Sequence, residues 1–77
     1  MTIKEFIGEK VIYDPMGQMI LGVDANEGYQ VLLDVRGWGS IHSNFIREGK
    51  SEKEAAIFQD EFGRWIADSI NEKLKTT

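Results

Sequence analysis

From residue 9 to residue 36, apolar and polar positions alternate in three short runs rich in Val, Ile, Leu and Tyr. Two turn signals separate them. Asp14-Pro15-Met16-Gly17 places a turn-favouring Asp first, a Pro of preset φ second and a Gly fourth, the pattern of a type I turn. Asp24-Ala25-Asn26-Glu27-Gly28 supplies the second loop, with Asn and Gly able to take positive φ. The pattern predicts strands over 9–14, 18–24 and 28–36, joined as an antiparallel meander.

Turn length sets the register. Pairing Asp14 with Gln18 places Tyr13 opposite Met19 and Val11 opposite Leu21. Pairing Asp24 with Gly28 places Val23 opposite Tyr29, Leu21 opposite Val31 and Met19 opposite Leu33. Because side chains alternate with a period of two, this register gathers Val11, Tyr13, Met19, Leu21, Val23, Tyr29, Val31, Leu33 and Val35 on one face. The other face carries Lys10, Gln18, Asp24, Gln30, Asp34 and Arg36, with Ile12, Ile20 and Leu32 aligned across its middle. Such an apolar stripe rimmed by polar groups marks either a covered surface or a protein interface.

A helical period replaces the alternation near the C-terminus. Ser51-Glu52-Lys53-Glu54 is a capping box, and it opens a helix over 52–74 with acids Glu52 and Glu54 at its start and Lys73 and Lys75 at its end. At about 100° per residue, Ala55, Phe58, Phe62, Trp65, Ile66 and Ile70 form the face expected to cover the Tyr/Val/Leu side of the sheet. Ala56, Gly63, Ala67 and Leu74 widen the apolar arc beyond what one sheet requires. Their small side chains suit close approach by a second helix, either the short one predicted below or one from another copy. Ile57 falls in the polar arc.

Two shorter helical pieces complete the pattern. Thr2-Ile3-Lys4-Glu5 is a capping box with Gly8 as its stop, giving a single turn over 3–7 that is too short to persist undocked. The Ile12/Ile20/Leu32 face is one place for it to dock, and an extended N-terminal strand is the alternative. After the meander, Ser40 is placed to cap a helix over 41–47, ended by Gly49. Before it stands Trp38 between two glycines. Trp38 either folds over the open end of the core or, with Arg36, serves as an anchor for a partner.

Composition narrows the function classes. The chain has 77 residues, enough for one small domain with a modest core, and 42% of them are hydrophobic. It has no cysteine, so no disulfide or thiolate site is expected, in keeping with a cytoplasmic location. The net charge of −4 is split evenly between residues 1–50 and 51–77, without an acidic tail or basic patch. That excludes the clustered Lys and Arg of nucleic-acid binders. Charged and polar residues break every apolar run well short of a membrane span, and the N-terminus lacks the form of a secretory signal.

Candidate chemistry is sparse. His42 is the only histidine, and its spacing from Asp34, Ser40 and Ser43 fits no nucleophile–base motif. One His with scattered carboxylates gives no metal-ligand spacing. Gly37 and Gly39 lack the third glycine and the Lys-Ser/Thr of a phosphate loop. No cofactor and no catalytic residue is therefore expected. The sequence points to an α+β domain: a three-stranded antiparallel meander covered on one face by a long C-terminal helix. Its functional reading is a non-enzymatic protein-interaction or assembly module, expected to self-associate, with Ile12, Ile20, Leu32, Arg36 and Trp38 as binding residues. Two alternatives are a small-ligand or enzyme site in the Arg36–His42 loop, and an inhibitor of a host protein carried by a phage or mobile element.

Overall fold

A computed structural model describes residues 1–35 and 38–76, apart from the side chain of Trp38. In order along the chain it contains α1 (Ile3–Ile7), β1 (Lys10–Asp14), β2 (Met19–Val23), β3 (Tyr29–Asp34), α2 (Trp38–Arg47) and α3 (Glu52–Leu74). The strands form one open antiparallel sheet in the order β1-β2-β3, and α3 packs across β1 and β2. This is the α+β meander with a long helical lid that the pattern predicts.

Both capping boxes form. Thr2 Oγ1 accepts from the Glu5 N–H at 3.0 Å, and Ser51 Oγ accepts from the Glu54 N–H at 3.1 Å. In each box the glutamate side chain accepts in return from the N-cap N–H, so two donors at the helix start are satisfied reciprocally. Gly8 ends α1 at φ +105, where a β-carbon would lie 2.7 Å from the Val23 carbonyl oxygen. At the end of α2, Gly49 takes φ +79 while the N–H groups of Gly49 and Lys50 return to Ile46 and Phe45. The helix expected over 41–47 starts earlier, at Trp38. Gly39 and Ser40 lie in its first turn, whose N–H groups have no intrahelical partner in any case, so poor helix formers are tolerated there.

The first hairpin differs from the expected register by one residue. Asp14 pairs with Met19, Tyr13 with Ile20, Ile12 with Leu21 and Val11 with Gly22. The cause is the turn. Asp14 Oδ1 accepts from the Met16 N–H at 3.0 Å, and the left-handed position falls on Gln18, at φ +53, rather than on Gly17. One extra loop residue exchanges the faces of β2 relative to β1. The second hairpin keeps the expected pairs Val23–Tyr29 and Leu21–Val31, then shifts at an irregularity between Leu21 and Ile20. Beyond it Ile20 pairs with Leu33 and Met19 with Asp34, leaving Leu32 as the extra residue of a β-bulge.

The core follows from that arrangement. Val11, Ile20, Val35 and Ala67 form its buried centre, with Ile7, Tyr13, Leu32, Ile66 and Ile70 packed against them. On α3 the buried stripe is Ala55, Gln59, Gly63, Ala67 and Leu74, rotated from the expected Phe58/Phe62/Trp65 face. Small residues on this stripe let the helix backbone come close to the sheet. Thus the sheet itself occupies the side where a second helix was expected, and α2 meets α3 on the aromatic side, through Phe45 and Phe58. The N-terminal turn docks on this same covered face. Ile7 packs against the core, its carbonyl fills the space beside Gly22, and Gln30 Nε2 donates to the Phe6 carbonyl.

Candidate interaction surface

Polar contacts fix the roll of α3 over the sheet. Asn71, near its C-terminal end, accepts from the Val11 N–H at 2.8 Å and donates to the Val11 carbonyl at 2.9 Å. One amide side chain thus satisfies the outward peptide groups of an edge-strand residue, as a neighbouring strand would. Three turns earlier, Asp60 accepts from the Tyr13 hydroxyl at 2.8 Å. Burial raises the Tyr13 pKa, and the hydrogen bond and negative charge of Asp60 add to it, so the phenol is pushed up to about 12. Both anchors lie on the flank of α3 that faces β1. Gln59, fully buried, donates instead to the Val35 carbonyl just past β3.

With that flank held to β1, a step of about 100° per residue puts Phe58 and Phe62 on the opposite flank and turns Trp65, midway between the sheet-facing Gly63 and Ala67, away from the sheet. Their rings form a row. Phe45 and Phe58 lie 5.2 Å apart at 45°, Phe58 and Phe62 6.4 Å apart at 7°, and Phe62 and Trp65 6.4 Å apart at 12°. The row is not covered: Phe58 and Phe62 are exposed, and Trp65 is 66% exposed. Exposed aromatic groups of this size on adjoining turns are the usual anchors of a protein contact.

β3 carries a separate exposed patch. Tyr29 is 65% and Val31 62% exposed, and Leu33 is exposed as well. Tyr29 and Val31 share the outer face with Leu21 and Ile12, their neighbours by register, which are half-buried. The hydrogen-bond ladder also leaves their peptide groups unused. Asp24 N–H donates to the Gly28 carbonyl, so bonded pairs fall at Asp24–Gly28 and Gly22–Gln30, and Tyr29 and Val31 point away from β2. No charged residue or proline interrupts Tyr29-Gln30-Val31-Leu32-Leu33, the devices that usually blunt a sheet edge.

The expected binding residues separate in space. Ile12 lies on the outer face, paired with Leu21. Ile20 is 0% exposed in the core, and Leu32 packs against the same core from the bulge. The stripe of three aliphatics therefore does not exist, because the extra turn residue carries Ile20 to the helix-covered side. Arg36 and the side chain of Trp38 lie outside the described residues. The residues that sequence reasoning missed are Tyr29, Val31, Phe58, Phe62 and Trp65, which it assigned to the core. The excess width of the apolar arc on α3 was the available signal.

Other arrangements are modest. His42 Nε2 lies 3.1 Å from Glu52 Oε1, joining α2 to the start of α3 at the surface. A groove of about 400 Å³ runs between α1 and α3, lined by Ile3, Ile7, Ile70 and Leu74 with Lys4, Ser69 and Lys73 at its margins. Among the described residues, no cluster of three or more His, Asp or Glu side chains could hold a metal ion. Among them too, no helix is long and apolar enough to cross a membrane.

Fold and surface together define a small α+β domain with an uncovered aromatic row on α3 and, separately, an open strand edge. No protein-family profile, no curated protein sequence and no solved structure matches the chain.

Proposed function

We propose that this chain is a small protein-interaction or assembly module that self-associates, using the aromatic flank of α3 as its contact surface. The observation that carries this reading is the row Phe58, Phe62 and Trp65, stacked on one another and left facing solvent. A row of this kind is costly to leave in water and supplies the rigid apolar area that binding hot spots use. Tyr29, Val31 and Ile12 form a separate apolar patch on the outer face of the sheet.

Light scattering coupled to size exclusion tests the reading. The wild-type chain should run as an oligomer, and Trp65→Glu combined with Phe62→Glu should convert it to a folded monomer. An unchanged oligomer in the double variant rejects this surface.

A further inference from the structure

We propose that two copies of this chain pair antiparallel through β3, with Tyr29 of each opposite Val31 of the other and Gln30 at the two-fold axis. The two sheets then become one sheet of six strands. The pairing rests on the self-association proposed above and specifies its geometry.

The register follows from the peptide groups. In β3, Tyr29 and Val31 carry the outward N–H and C=O groups, while Gln30 is turned toward Gly22 of β2. An antiparallel mate must present its own outward groups at matching positions. A second copy does so when Tyr29 meets Val31 and Val31 meets Tyr29, which makes four backbone hydrogen bonds around Gln30. The β-bulge at Leu32 breaks the alternation beyond Val31, so a register centred further along the strand loses part of that match.

Side chains agree with the same register. On the outer face it sets an aromatic residue against a β-branched one twice, a favourable cross-strand pair. Both members are largely exposed in the single chain, so the contact removes from water what the fold leaves in it. On the other face α1 lies against Gln30, whose Nε2 donates to the Phe6 carbonyl, so the same register brings the two N-terminal turns, each with an exposed Phe6, toward the axis. Taking about 200 Å² for each aromatic side chain, the exposed parts of Tyr29 and Phe6 amount to about 240 Å² in each copy. The strand edge, Val31 and Leu33 add to that patch, giving a contact at the small end of protein interfaces, where a standard one covers roughly 800 Å² per partner. A foreign acidic or basic peptide finds no charge along Tyr29–Leu33 to select it, whereas a second copy matches an uncharged edge with an uncharged edge.

The chain lacks cysteine, so Gln30→Cys introduces a single thiol. In the paired state two such residues form a non-hydrogen-bonded pair with Cα atoms about 4.5 Å apart, within disulfide range. Mild oxidation should convert Gln30→Cys almost wholly to a disulfide dimer, while Ala25→Cys, in the loop away from the axis, should remain largely uncrosslinked. In the wild-type chain, amide exchange at Tyr29 and Val31 should slow as concentration rises, with the Ala25 amide unchanged. Dimers that persist by light scattering with no disulfide at residue 30 and no protection at Tyr29 and Val31 overturn the pairing and leave the module reading standing. A chain that stays monomeric at every concentration overturns both.

Discussion

The ring of Tyr13 occupies the space that a side chain at Gly63 would need. An ideal β-carbon there would lie 2.6 Å from Cζ and closer still to Cε1 and Cδ1. The glycine is therefore a packing requirement of the helix–sheet contact, not a flexible point in α3.

Gly63→Ala should destabilise the fold even though alanine favours a helix by about 1 kcal/mol. Overpacking against an anchored ring outweighs that gain, and a net loss of about 1–3 kcal/mol is expected. In a Tyr13→Val background, where the side chain stops short of the helix, the loss should shrink or reverse. A double-mutant cycle in urea measures the coupling between the two sites. Equal penalties in both backgrounds would remove the steric explanation.

The bond from Tyr13 to Asp60 carries a pH signature. The folded-state pKa of about 12 stands above the ordinary tyrosine value of 10.0, so the protonated phenol is the form that the fold favours. Its stabilising contribution is complete below pH 10 and disappears as pH rises through about 12. Tyr13→Phe should lower stability by about 1 kcal/mol at neutral pH. It should also flatten the alkaline decline seen in wild type. Denaturant midpoints for the two proteins across that range decide the point.

Asn71→Ala strips the edge of β1 of its substitute strand. The Val11 N–H and C=O lose their side-chain partners at a half-covered position, at an expected cost of about 1–3 kcal/mol. Faster amide exchange at Val11, beyond what the global loss explains, would identify the cause as local. Stability equal to wild type would show that water replaces the amide without penalty.

Ile20 and Trp65 should divide stability from association. Ile20→Ala opens a cavity in the centre of the core and should lose about 2–5 kcal/mol, with weaker association following only from unfolding. Trp65→Ala touches an exposed side chain and should leave the unfolding midpoint within about 0.5 kcal/mol of wild type. It should nevertheless weaken self-association about tenfold or more, as truncation of a hot-spot aromatic does. Sedimentation velocity alongside chemical denaturation separates the two outcomes.

The elements themselves were legible. Capping boxes, turn residues and the change from alternating to helical period located three strands and three helices, with ends that move by one or two residues, or three at the start of α2. What stayed hidden was which way each element faces. A single residue added to the first turn, with Gln18 rather than Gly17 at positive φ, exchanged the faces of β2 and moved Ile20 from surface to core. The apolar arc on α3 was wide enough to be docked by either margin. Periodicity does not choose between Gly63 and Phe62 as the residue that meets the sheet; the shape of Tyr13 does. Both decisions are tertiary, and the candidate surface depended on both.

The amide of Asn71 on Val11 also bears on how large an assembly can become. A sheet with two bare borders can recruit copies without limit and grow into fibres, as open head-to-tail contacts do. Here Val11 on the β1 border has both outward peptide groups bonded to Asn71 of the same chain, and α3 lies above that strand. In the pairing proposed above, the β3 border is used up on both molecules, which favours a closed pair over continued growth.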